Sequence, residues 1–233
     1  MIMTFLTFFI SITRNVNHLI KIPWGCKSFK RCIPVKFSMT SPMNAKVPTV
    51  LVLYLVLTAT FNTIIFTTPF IYMYDRGIGE SVYRAFSLIC HQVPSRSFCI
   101  YPDAFTVSGC SAMTNGIVSV DPVLGMGYKF PVCARCISFY TGMFIGGLML
   151  LFIFFRRGCY PILPVWLFIM FIIPMGVDGT FQLLGFWEST NTVRVLTGFP
   201  AGFIVPFYLM PILDKRRAQW SWKNGHWIVG KRG

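Results

Sequence analysis

Charged side chains are scarce in this chain. Asp, Glu, Lys and Arg make up 12% of the 233 residues, against 55% hydrophobic residues and 24 phenylalanines. So little charge excludes a soluble domain, which needs far more to cover its surface. Acidic residues are scarcer still, seven against 21 basic ones, and histidine occurs three times. No Ser/His/Asp set, Walker loop or dinucleotide fingerprint is present, so hydrolases and ATPases find no support. There is no internal repeat. The opening MIMTFLTFFISI is too short to span a bilayer, and it lacks the basic region and small-residue cleavage site of a secretory signal.

What the chain has is long apolar runs. Val50–Tyr72, Ile137–Phe155, Tyr160–Val177 and Val193–Leu213 approach or exceed the roughly 18–20 residues that cross a bilayer core. Backbone facing lipid must satisfy its own hydrogen bonds, so these runs predict helices. The expected fold is an all-α membrane protein. It has four transmembrane helices and a long cysteine-rich extracytoplasmic loop, residues 73–135, between the first and second.

A formal net charge of +14 suggests a nucleic-acid partner until its distribution is read. Arg14, Lys21, Lys27, Lys30, Arg31, Lys36 and Lys46 precede the first span. Arg156 and Arg157 fill the turn between the second and third, and Lys215, Arg216, Arg217, Lys223, Lys231 and Arg232 follow the fourth. With Asp214 these account for the whole excess, while the other two loops are neutral. The positive-inside rule then places both termini in the cytoplasm of a multi-pass cell-membrane protein. Anionic lipid is the expected partner, with other membrane subunits possible and nucleic acid not expected. Residues 1–46 read as a basic, weakly structured arm, or as an over-extended start upstream of Met39 or Met43. Residues 47–213 form the transmembrane domain and 214–233 a basic cytoplasmic tail. Cys26 and Cys32 in the arm would be cytosolic and reduced.

Within the outer loop, GESVYRAFSLICHQ has helical spacing at Val82, Phe86 and Ile89 and stops at Pro94. The following stretch is rich in Gly, Pro and Ser and reads as turns and short strands. Gly142, Gly146 and Gly147 suit close helix packing in the second span, and Asn62 in the first suits a bond across helices.

Topology gathers Cys90, His91, Cys99, Cys110, Cys133, Cys136, Asp178, Gln182 and Arg194 on the outer side. PVCARC puts Cys133 and Cys136 at the mouth of a helix, whose dipole favours thiolate, with Arg135 adding positive charge. The CxxC spacing serves zinc clamps and redox pairs alike. Cys90 and His91 supply complementary ligands, although adjacent residues in a helix point about 100° apart. Asp178 is an alternative fourth ligand. Asp178 and Gln182 share a helix face, and Arg194 at the start of the fourth span is positioned to pair with Asp178; the three otherwise form a charged wall.

The blocks CHQVPSRSF, PVCARCISFYTG and DGTFQLLGFWESTNTVRVLTGFPAG resemble those of an uncharacterised family of small archaeal and bacterial membrane proteins. The resemblance runs from about Tyr72 to Leu213. It singles out Cys90, His91, Gln92, Arg96, Ser97, Cys133, Arg135, Cys136, Tyr140, Gly142, Asp178, Gly179, Gln182, Asn191, Arg194 and Gly198, and it implies no activity. Ser138 stands where glycine is expected. The segment bearing Cys99 and Cys110 is longer than the family pattern, which implies a separate disulfide between them.

Three readings remain. Zinc held by Cys90, Cys133 and Cys136, with His91 or Asp178, is the first. The second is a thiol–disulfide oxidoreductase coupled to quinone, with Cys99 and Cys110 as shuttle pair and Arg194 or Arg96 stabilising a charged intermediate. The third is a non-catalytic subunit or assembly factor with static disulfides, which an odd count of five outer cysteines disfavours.

Overall fold

A computed structural model describes residues 48–157, 160–161, 163–214, 220–223 and 226–229. The arm at 1–46, Cys26, Cys32 and most of the tail at 214–233 lie outside the described residues. The chain divides into two compact units, one of residues 41–220 with 229–233 and the other of residues 1–40 with 221–228.

Four helices of the first unit are long and apolar enough to cross a membrane: α1 (Thr49–Tyr74), α3 (Ala134–Arg157), α4 (Val165–Leu183) and α5 (Asn191–Leu213). Their most apolar stretches are only 22–39% buried within the protein, so most of that surface needs lipid as solvent. Hydroxyls inside α1 return to the helix itself, as when Thr58 donates to the Tyr54 carbonyl at 2.8 Å and Thr68 to the Ile64 carbonyl at 2.6 Å. Asn62 reaches across instead, donating to the Tyr140 carbonyl at 3.1 Å and accepting from Thr141 Oγ1 at 3.1 Å.

Helices α3 and α5 pack backbone to backbone. A Cβ on Gly202 would sit 2.0 Å from the Phe139 carbonyl oxygen, and one on Gly146 would sit 2.2 Å from that of Phe203. Ser138, placed where a glycine was expected, fits by donating to the Arg135 carbonyl at 2.9 Å. At the end of the bundle away from the loop, Leu51, Tyr54, Leu150, Phe154, Tyr160, Phe207 and Met210 form one apolar core.

The segment between α1 and α3 corrects the all-α expectation. It opens with α2 (Arg76–Ser87), capped by Asp75, which accepts from the Ile78 amide at 3.1 Å. A 3-10 turn (Pro94–Arg96) follows, then a five-stranded antiparallel sheet of β1 (Phe98–Tyr101), β2 (Thr106–Gly109), β3 (Ala112–Met113), β4 (Val118–Asp121) and β5 (Gly125–Lys129), in the order β2-β1-β5-β4-β3. Short strands were legible in its turn chemistry; their assembly into one sheet was not, because pairing across the β1–β5 boundary is non-local. Buried Tyr101 organises it. Its ring lies over Gly127, where a Cβ would come within 2.5 Å, and its hydroxyl lies 3.2 Å from Ser119 Oγ.

Trp220–Lys223 and His226–Val229 form β6 and β7 of a two-stranded sheet.

Candidate metal centre

The apolar face of α2 buries Tyr83 and Phe86 and brings the chain down onto the C-terminal half of α1. There Ile65, Phe86, Cys90 and Val132 form a buried cluster, with Phe61, Cys133, Cys136 and Tyr140 packed against it. Just past Cys90, Gln92 adopts a left-handed backbone (φ 51°) that redirects the chain toward Pro94. Lys129 holds that bend, donating from Nζ to the Gln92 carbonyl at 2.9 Å. Burial pushes the Lys129 ammonium below its usual range, partly offset by the charge of Cys90.

Cys133 stands at the mouth of α3, its carbonyl accepting the Ile137 amide at 3.0 Å. Its own amide donates to Cys90 Sγ at 3.3 Å, across 43 residues of sequence. Cys136, three residues on, shares that face. The sulfurs of Cys90, Cys133 and Cys136 all lie within 4.8 Å of one another. Hydrogen bonds from Cys133 and Cys136, with help from the Gln92 and Cys133 amides, hold Cys90 far below the usual thiol range despite its burial. Cys133 moves the other way: its bond with Cys136 favours the thiolate, but its bond with Cys90, burial and the charge on Cys90 outweigh that.

The donor set fits a thiophilic cation. Zinc–thiolate bonds of about 2.3 Å place tetrahedral sulfurs about 3.8 Å apart, so the observed spacing needs little side-chain movement. Among the described residues no histidine or carboxylate joins the group. His91, expected as a fourth ligand, is exposed and lies outside the group. Asp178 also lies outside it, its Oδ2 engaged elsewhere.

That engagement corrects a second expectation. Buried Asp178 pairs with Arg135 of the CARC turn rather than with Arg194. Arg135 Nη2 also donates to Gln182 Oε1 at 3.2 Å, so Asp178 and Gln182 do act from one helix face. Arg194, buried at the start of α5, bonds Asn191 Oδ1 at 2.7 Å and the Ser95 carbonyl at 3.5 Å. The hydrogen-bonded shell missed in the sequence comprises the Ser95 and Ser97 carbonyls and the Lys129 ammonium. For Arg135 a signal existed, since a residue between two cysteines of one helix face must look away from them. Cys99 and Cys110 form a disulfide, apart from the three free cysteines among the described residues.

A family model described as "predicted membrane protein (DUF2085)" matches residues 123–208, which include Cys133, Cys136, Asp178 and Arg194. The uncharacterized protein MJ1492 of Methanocaldococcus jannaschii is 40% identical over 136 residues, 58% of this chain and 70% of that protein. An uncharacterized protein of Methanothermobacter thermautotrophicus is 32% identical over 117 residues, 50% of this chain and 80% of its own length. No solved structure matches. With a relative this similar covered over more than two thirds of its length, the chain belongs to the DUF2085 family of predicted membrane proteins.

Proposed function

We propose that this membrane protein holds zinc through Cys90, Cys133 and Cys136, and that the ion ties the outer loop to the helical bundle. One observation carries the reading: three sulfurs from two distant segments converge within 4.8 Å. Three protein thiolates leave one position of a tetrahedral ion to water or an external ligand, and zinc bound this way would also supply Lewis acidity. Its structural role is to fix the end of α2 to the mouth of α3. Compartment chemistry favours the same reading. By the charge distribution the loop faces an oxidising exterior, where Cys99 and Cys110 are paired, and ligation to metal accounts for three neighbouring thiols that are not.

The quinone-coupled redox reading rests on the CxxC at a helix mouth and a disulfide in the same loop. Fully buried Cys99 restricts a shuttle to attack at the half-buried Cys110 sulfur. Element analysis of detergent-purified protein decides. About one zinc per chain, lost in Cys90→Ser, is the expected result. Metal-free protein in which Cys90, Cys133 and Cys136 all titrate as thiols overturns the proposal, and quinone-dependent oxidation of those three would establish the redox reading.

A further inference from the structure

On the other side of the α3 mouth, the guanidiniums of Arg96 and Arg135 lie near that of Arg194, and Arg135 holds the buried carboxylate of Asp178. Arg135 comes from the first turn of α3, Arg194 from the first turn of α5, and Arg96 from the 3-10 turn that α5 holds in place. Asn191 secures that turn by donating to the Ser97 carbonyl at 3.2 Å. Arg96 and Arg135 both repel Arg194. Among the described residues Asp178 is the one buried carboxylate beside them, with the Cys133 sulfur behind it on the other side of the turn, since Glu188, 3.9 Å from Arg96, is 82% exposed. The cluster therefore keeps positive charge in excess at the outer ends of the spans, where uncompensated charge is costly.

Its hydrogen-bond capacity is also unused. Arg96 Nε, Arg135 Nε, Arg194 Nε and Gln182 Nε2 are buried and have no partner among the described residues. Arg194 and Gln182 are more than nine-tenths buried. Four donors from four side chains exceed what a planar carboxylate accepts, whereas they suit the several oxygens of a phosphoryl group. One acceptor is equally orphaned, Asp178 Oδ1. A carboxylate oxygen turned toward an anion is repulsive unless the anion carries a proton, and a monoprotonated phosphate supplies that P–OH donor.

We propose that Arg96, Arg135, Arg194 and Gln182 bind a phosphate oxyanion with a protonated oxygen, inorganic phosphate or a phosphomonoester, whose hydroxyl donates to Asp178. A phosphodiester lacks that hydroxyl. Entry is past Arg96, whose side chain is 35% exposed and which no buried acid holds. The site lies at the outer ends of α3 and α5, so the monoester can be a free solute or a lipid headgroup.

The test uses the full-length protein in detergent at constant ionic strength, with thermal stability read against three probes. These are inorganic phosphate, phosphatidic acid and, as the diester control, phosphatidylglycerol. Stabilisation by phosphate, by phosphatidic acid or by both is expected, with phosphatidylglycerol at least tenfold weaker; the responding probe identifies the source. Arg96→Gln should weaken the effective probe at least tenfold without lowering the ligand-free melting temperature, since it relieves repulsion on Arg194, and Arg96→Lys should restore only part of the affinity. Absence of a response to both monoester probes, equal affinity in Arg96→Gln, or equal binding of phosphatidylglycerol overturns the proposal.

Discussion

Cys133 and Arg135 are two residues apart, yet they serve opposite sides of one helical turn. At 100° per residue, Cys136 returns to within about 60° of Cys133, while Arg135 lies about 200° from Cys133. The cysteine side faces α1 and the end of α2, where its neighbours are Phe61, Ile65, Phe86 and Tyr140. The arginine side faces α4 and α5, where its neighbours are Asp178 and Gln182. Apolar walls leave sulfur as the available ligand and favour a cation that bonds covalently to thiolate. The polar wall gathers guanidiniums and favours an anion. Four consecutive residues thus place two chemistries back to back, and each can be tested by asking whether the other notices.

The largest effect is expected on the cysteine side. Cys136→Ser should drop zinc from about one per chain to near none and loosen the loop by several kcal/mol, since metal binding is coupled to folding. Proteolysis between Cys90 and Cys133 should accelerate accordingly. If zinc stays, the trio is not the ligand set.

Next is the ion pair. Asp178→Asn should destabilise the protein by roughly 3–5 kcal/mol, because Arg135 is left as an unpaired charge away from water. Replacing both partners, Asp178→Asn with Arg135→Gln, should cost less than the single change. A thermal-denaturation double-mutant cycle reads the coupling, and zinc measured on the same samples should stay at the wild-type level. Loss of metal in these variants would show that the two sides are one site and would break the comparison.

A smaller effect belongs to the sheet. Replacing Cys99 and Cys110 with serine opens an 11-residue link and should cost about 2–3 kcal/mol, confined to the segment between α1 and α3. Hydrogen exchange should rise in β1 and β2 and remain unchanged in α3 and α5. Altered zinc content would instead mean that the disulfide and the trio exchange partners.

Much of this was legible in the sequence because lipid simplifies the code. Apolar runs must be helices, and the charge of the loops argues for their side of the membrane. Convergence of Cys90 with Cys133 and Cys136 was also expected, since a helix mouth and a helix stop were placed at one depth. What local spacing could not give was which way a side chain turns once two elements meet. His91, next to Cys90 in sequence, is exposed and stands apart from the sulfurs. Asp178 was matched to Arg194 because both flank the same connection, while Arg135 reaches it from a different helix. The β-sheet was underestimated for the same reason, since its central β1–β5 contact joins strands nearly thirty residues apart.

The smallest expected effect concerns the seam that holds the cysteine side in place. Asn62 bridges α1 to α3 through the Tyr140 carbonyl and the Thr141 hydroxyl, one turn below Cys136. Hydrogen bonds between membrane helices average about 0.6 kcal/mol, because the separated helices also find partners. Asn62→Leu should therefore cost only about 1 kcal/mol, with Thr141 turning back to a carbonyl of its own helix. The informative readout is zinc affinity, measured by competition with a chromogenic chelator. Tyr140 packs against the trio, so loosening its backbone should weaken metal binding several-fold while leaving the Arg135–Asp178 coupling energy intact. A change in that coupling with zinc affinity unaltered would mean that α3 shifts as a rigid rod. The two sides of its first turn would then be linked through the helix itself rather than built independently on it.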